Sequence, residues 1–153
     1  MRHNYGAGGV THSLLRIVAG FMFMMHGGQK LFGWFGGMGG QGGTAELLSM
    51  PGIAGVLEVA GGALIIIGLF TRPIAFILSG EMAVAYFMMH FPQGFWPIQN
   101  QGELAALYSF TFLFFAFNGA GPLSVDAARS PQMPEGAVTA EERERARRAD
   151  MAA

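Results

Sequence analysis

The sequence predicts an all-α fold: an integral membrane four-helix bundle with a short, charged cytoplasmic C-terminal helix or tail. Three observations lead there. Only 12% of the 153 residues are charged while 52% are hydrophobic, against about 25% charged in soluble domains. The apolar residues gather into four runs, so that mean hydropathy is +0.38 despite a polar C-terminal end. The basic residues then sort by side: with four spans, Arg2, Arg16, Arg72, Arg129, Arg143, Arg145, Arg147 and Arg148 share one face of the membrane and Lys30 is the exception. The positive-inside rule makes that face cytoplasmic, with Arg16, Arg72 and Arg129 weighing most because they lie close to span ends.

Residues 1–12 read as a polar N-terminal cytoplasmic leader, with Thr11 or Ser13 placed to cap the first helix. The first span covers about 13–35. No Ala-x-Ala-like site follows its apolar run, which argues against a cleaved signal peptide. GGMGGQGG, residues 36–43, follows with six glycines in eight positions. It lacks the Gly-Lys-Ser/Thr and the preceding strand of a phosphate loop, so a flexible linker is expected. Pro51 suits the first turn of span two, about 52–70, and Pro73 opens span three, about 73–91, after a tight Thr71-Arg72-Pro73 turn. Pro92, Trp96 and Pro97 mark an outer loop with an aromatic at the interface. Span four, about 102–119, has an apolar centre of only 14 residues, LAALYSFTFLFFAF. That is short of the ~17 a crossing needs and alone fits a span or a buried soluble helix; Gly119 to Leu123 can extend it, and the three spans beside it favour a crossing. Residues 13–126 thus form one membrane domain and 127–153 a polar tail. In that tail Thr139 and Glu142 make a capping box, and Glu141–Arg145 and Glu144–Arg148 pair at i,i+4, with no apolar face.

A net charge of −1 gives no reason to expect nucleic acid as a partner. The absence of cysteine excludes disulfides, thiol redox chemistry, c-type haem attachment and cysteine-ligated clusters or zinc in these residues.

Ionisable groups inside spans cost roughly 2.5–3.5 kcal/mol each and so face partners within the bundle. At ~1.5 Å rise per residue, Lys30 lies ~7 Å and His26 ~13 Å below the outer surface, Glu58 ~9 Å and Glu81 ~15 Å, near the midplane. His90 and Glu103 fall at the outer edge. His26 and Lys30 share a helix face, and Gly55, Glu58 and Gly62 share another whose missing side chains admit a neighbouring helix. Lys30 and Glu58 match in depth and are expected to pair. Blander readings stand beside this one. Lys30 can snorkel outward, the pair can serve only helix register, and His90 and Glu103 can be solvated at helix ends, Glu103 complementing the helix dipole. Glu81 is hardest to dismiss, because no basic residue sits obviously at its depth. Three carboxyls against one lysine leave at least one expected to hold its proton, a donor within the membrane. That suits a quinone-like head group, with Met22, Met24, Met25, Met82, Met88 and Met89 as candidates for an apolar lining or for plain packing. His26 and His90 differ by ~11 Å in depth, too much for a bis-histidine haem. No spacing suggests a metal site.

The order Gly27-Gly28-Gln29-Lys30-Leu31, GVLEVAGGALIIIGLFTRPIA (55–75), EMAVAYFMMHFPQGFWP (81–97), NQGELAALY (100–108) and GAGPLSVD (119–126) resembles the DoxX family of small four-span bacterial membrane proteins, over about residues 12–127. The resemblance implies a four-helix bundle in the bacterial cytoplasmic (inner) membrane. It also implies association with quinone-linked oxidoreduction, since relatives form the membrane part of a thiosulfate:quinone oxidoreductase and others are linked to thiol and oxidant stress. On matching positions it carries over Lys30, Glu58, Glu81, His90, Asn100 and Glu103. Gln101 stands where the family usually has glycine.

The function expected is a quinone-interacting membrane subunit of an oxidoreductase system. Glu81, His26 and Glu58 form the candidate catalytic set; Lys30, His90, Asn100 and Glu103 form the candidate binding set. Nothing in the sequence supplies an electron carrier, so a soluble or membrane oxidoreductase partner is required. The lipid bilayer is the surrounding partner, and a homo-oligomer is compatible with the sequence. The alternative is a non-catalytic membrane scaffold or assembly factor. Transport of a small solute is weaker, because no span shows the paired interruptions of inverted repeats.

Overall fold

A computed structural model describes residues 6–129 and, in the tail, Glu144, Arg148 and Asp150. The described chain is helical: α1 Ala7–Phe32, α2 Met50–Ile67, α3 Thr71–Ala85, α4 Pro97–Asn100, α5 Glu103–Asn118 and α6 Val125–Arg129. A π-helical turn, Tyr86–His90, and a 3-10 turn, Phe91–Gln93, prolong α3. Three helices, Ala7–Phe32, Met50–Ile67 and Thr71–Gln93, are long and apolar enough to cross a membrane, and Glu103–Asn118 is a shorter apolar fourth. This is the helical membrane bundle that the sequence predicts.

The bundle is built from two antiparallel pairs, α1 against α2 and α3 against α5, with α2 joined to α3. Glycine makes the first pair. A Cβ on Gly27 would lie 2.7 Å from the Gly55 carbonyl oxygen, and one on Gly62 would lie 2.9 Å from that of Gly20. The two backbones therefore touch without side chains between them. In lipid, where the hydrophobic effect does not pull helices together, such close packing is the attraction that remains. The second pair uses a reciprocal bond instead: the Ser79 hydroxyl donates to the Ser109 carbonyl at 2.8 Å and the Ser109 hydroxyl to that of Ser79 at 3.1 Å. Between the pairs, Phe23, Ile65, Leu78, Tyr108, Phe112 and Phe115 fill the core.

Element ends differ from the sequence reading in instructive ways. α1 begins at Ala7, inside the expected leader, because Thr11 and Ser13 do not cap it. Their hydroxyls donate back to the carbonyls of Ala7 and Gly9, a bond that keeps such residues inside a helix. The glycine segment is not an open linker. Met38 donates to the Gly43 carbonyl at 2.7 Å, Gly42 to Gly36 at 2.6 Å, and Ala45 back to Lys30 at the end of α1 at 2.7 Å, folding the loop onto the bundle. Pro51 lies in the first turn of α2, as expected, and Ser49 caps that helix. α6 runs across the expected domain edge at 126, and its Ala127 is buried. In the tail, Glu144 and Arg148 meet at 3.4 Å; the capping box at Thr139 and Glu142 and the Glu141–Arg145 pair lie outside the described residues.

At the end of the bundle away from Lys30, here called the inner end, one residue makes most of the fastening bonds. Arg16, wholly buried, donates to the carbonyls of Ile65 and Ile66 at the C-terminus of α2, and to those of Ala120 and Leu123 in the segment after α5. A cation here complements the negative end of the helix and satisfies carbonyls that have no intrahelical donor. Arg16, near the start of the expected first span, therefore belongs to the packing of the bundle. Replacing it by Met removes every donor at once, and we expect a loss of roughly 3 kcal/mol of stability, read as a lowered melting temperature in nanodiscs. Arg16→Lys should recover little of that, since one ammonium cannot span carbonyls from two segments.

Candidate functional site

The functional cluster starts from the segment His26-Gly27-Gly28-Gln29-Lys30, in which every residue has a separate task. Gly27 meets α2. Gly28 seats Trp34, whose ring would lie 2.0 Å from a Cβ placed there. Gln29 donates to the Gly37 carbonyl at 3.2 Å and holds the glycine loop. Lys30 forms an ion pair with Oε1 of Glu58, and His26 turns toward α5, its ring edge-on to that of Tyr108 with centroids 6.3 Å apart.

Glu58 is 2% exposed and Lys30 26%, so the pair reaches from the bundle interior toward the outer surface. It is brought together by the α1–α2 contact, since a Cβ on Gly55 would sit 3.2 Å from the Lys30 Cβ. Glu81 approaches from α3, where Glu58 and Lys30 are the charges that act on it. Tyr108 on α5 also lies within the field of Glu58. Four helices thus contribute to one cluster. Its composition is unusual in what it leaves over. Oε2 of Glu58, both carboxyl oxygens of Glu81 and the Tyr108 hydroxyl are buried with no hydrogen-bond partner among the described residues. A buried polar group without a partner costs about 1–3 kcal/mol, so the fold bears this strain where the sequence places its candidate chemistry.

The outer residues form a second group. Nine residues separate His90 from Glu81 along α3, roughly 13 Å of helix. His90 Nδ1 lies 3.0 Å from the Asn100 carbonyl oxygen. The Asn100 side chain is consumed by its own loop: its amide donates to the Gly94 carbonyl at 2.7 Å and its oxygen accepts from the Gly102 amide at 2.8 Å. Glu103 is exposed in the first turn of α5. His90 and Asn100 organise residues 91–102, and neither they nor Glu103 are brought into the Lys30–Glu58–Glu81 cluster. Of the methionines, Met22 and Met25 line a cavity of about 170 Å³ with His26, Gln29 and Phe35. Met82 joins the core, Met24 packs against Gly62, and Met88 and Met89 are exposed.

Two participants escape sequence reasoning. Tyr108 reads as one aromatic among many in span four, and only α5 packing beside α1 gives it a place in the cluster. Asp126 reads only as the last residue of the membrane domain. Its carboxylate accepts from the amides of Phe70 and Thr71, both at 2.8 Å, and so caps α3 from 55 residues away in sequence. It also holds Phe70 at φ +50°, a conformation that L residues seldom adopt.

Two outcomes test this geometry. Lys30→Met alone leaves Glu58 buried and unpaired, and should destabilise more than Lys30→Met combined with Glu58→Gln; a double-mutant cycle on thermal unfolding should give a coupling of about 1–3 kcal/mol. Gln101, at φ +60°, occupies a left-handed position that glycine adopts without penalty. Gln101→Gly should therefore raise stability by about 0.5–1 kcal/mol.

Comparison with known proteins agrees with this architecture. The family model named DoxX matches residues 12–91. An uncharacterized protein of Haemophilus influenzae is 48% identical over 117 residues, covering 74% of this chain and 87% of that relative. No solved structure matches. The glycine-lined first pair of helices and the Lys30–Glu58 ion pair lie within the matched segment, and the chain belongs to the DoxX family.

Proposed function

We propose that this protein is a quinone-interacting membrane subunit of an oxidoreductase system in the bacterial cytoplasmic (inner) membrane, linked to sulfur or oxidant-stress metabolism, with both termini cytoplasmic. The observation that carries this reading is the set of unpartnered buried polar groups, Glu81, Glu58 Oε2 and the Tyr108 hydroxyl, gathered beside one ion pair. A quinone ring presents two carbonyl oxygens that accept hydrogen bonds, and its seat needs donors set in an apolar wall. Tyr108, His26 and a protonated Glu81 are such donors, and Phe23, Phe112 and Met22 supply apolar surface around them.

When bound, the quinone supplies an acceptor for two electrons and two protons. The chain supplies the rest of the site. Glu81 holds a proton at its carboxyl, and Lys30 fixes the orientation of Glu58 and leads from the cluster toward the outer surface. Electrons come from a partner oxidoreductase, as the sequence holds no thiolate to ligate a redox centre. The orientation rests on Arg72, Arg129 and the arginine-rich tail sharing the face opposite Lys30.

A second reading, a membrane scaffold or assembly factor, is favoured by the way Arg16 and the Lys30–Glu58 pair fasten one helix to another. Quinone binding to the purified protein in nanodiscs separates the two. The wild type should bind saturably. Glu81→Leu, which removes the donor, should weaken binding about tenfold, the worth of one hydrogen bond, while Glu81→Gln, which keeps an N–H, should retain most of the affinity. Absence of saturable binding by a wild type that melts cooperatively leaves the scaffold reading.

A further inference from the structure

In its outer half α1 carries Met22, Met24 and Met25, followed at once by His26. Packing accounts for Met24, which faces α2: a Cβ on Gly62 would lie 2.9 Å from its own. Met22 and Met25 are placed otherwise. With His26, Gln29 and Phe35 they line the cavity of about 170 Å³. Met22, Met25, His26 and Gln29 stand at i, i+3, i+4 and i+7, so they share one face of the helix. Met22 is half exposed there, while Phe23 beside it is buried in the core. The helix therefore sets two thioethers beside an imidazole on a face where the bundle has no packing use for them.

His26 differs from the other described histidines in a way that bears on this. His12 brings Nε2 to 2.8 Å from the Gly119 carbonyl oxygen, and His90 brings Nδ1 to 3.0 Å from that of Asn100. Each thus commits a ring nitrogen to the main chain. His26 meets the Tyr108 ring edge-on, and neither of its nitrogens makes a hydrogen bond among the described residues. Side chains three and four residues apart on a helix start about 5–6 Å from one another at Cβ. Methionine adds a flexible, unbranched stem, so two sulfurs and one imidazole nitrogen can reach a common point above this face.

We infer that Met22, Met25 and His26 bind one soft monovalent metal ion, copper(I), in the outer half of the membrane domain. Thioether sulfur and imidazole are the donors that suit copper(I), whereas hard cations take carboxylate and carbonyl oxygen. All three donors are neutral. None offsets the second charge of a dication, and the cost of taking an ion out of water rises with the square of its charge. Among the described residues no three histidines, cysteines or carboxylates gather to hold a metal, so zinc finds no anionic set here. Lys30, four residues beyond His26, adds repulsion that a dication feels most, and its own charge is answered by Glu58. The quinone reading also uses His26 and Met22, but the metal site does not depend on it.

The test is a titration of the full chain in nanodiscs against the copper(I) complex of bicinchoninate, followed by the loss of its colour. The wild type should withdraw one equivalent of copper(I). Met22→Leu, Met25→Leu and His26→Gln should each weaken binding about tenfold or more. Leucine conserves the volume of methionine and Met22 is half exposed, so Met22→Leu should melt with the wild type and keep the test open if His26→Gln does not fold. Met88→Leu with Met89→Leu should change nothing, although Met88-Met89-His90 repeats Met24-Met25-His26, because those methionines are exposed and His90 is engaged by Asn100. With isotope-labelled methionine methyl groups, silver(I), a redox-inert stand-in, should shift the resonances of Met22 and Met25. No withdrawal of copper(I) by the wild type overturns the proposal. So does full retention in both Met22→Leu and Met25→Leu, a loss that follows Met88 and Met89 instead, or equally tight uptake of zinc(II). Quinone binding and its dependence on Glu81 are measured apart from the metal, so either reading can fail while the other stands.

Discussion

The structure depends on a contact without side chains. Gly20 and Gly27 on α1, and Gly55 and Gly62 on α2, let two helices touch backbone to backbone where lipid offers no hydrophobic reason for them to associate. Because the contact is so close, its register is fixed to within a residue. Lys30 then has no choice of depth: it meets Glu58 at the outer end of the same interface, while the opposite end sets Arg16 against the last carbonyls of α2. The remaining face of α1 is thereby turned toward α5, where His26 and Tyr108 meet.

The two ends of the bundle treat polarity in opposite ways. At the inner end the polar groups are largely answered, with the buried Thr71 hydroxyl the exception among the described residues. Arg16 serves main-chain carbonyls of two segments, Asp126 serves two amides, and Ser13 accepts from the Leu123 amide. This end fastens the C-terminal segment under the bundle and fixes the turn between α2 and α3. In the outer half, Glu58 and Glu81 bring four carboxyl oxygens to a single lysine, and three of those oxygens have no hydrogen-bond partner among the described residues. A membrane protein that tolerates unanswered carboxyls in one place and answers nearly everything in another separates a fastening from a site.

Much of this was legible. The four runs, the depth match of Lys30 with Glu58 and the small-residue face around Glu58 follow from counting rise per residue, because in a bilayer depth along the helix is a coordinate that the sequence carries directly. Other features were not. Thr11 and Ser13 look like caps but extend the helix, since a hydroxyl can bond backward as well as forward. Asn100 looks like a ligand-binding amide but closes its own loop, because a short polar side chain beside prolines and glycines finds its nearest backbone first. Arg16 looks like a topological signal, and its burial becomes visible only when the segment after α5 returns beneath it.

The sequence by itself determined the class of fold, the apolar helices and the pairing of Lys30 with Glu58, since hydropathy and a fixed rise per residue need no partner. Tertiary structure alone decided which helices are neighbours. That choice made Tyr108 part of the cluster and made Asp126 the cap of a distant helix. The physical reason is that pairing in lipid is governed by surface fit between whole helix faces, a property of two segments together that neither one encodes alone.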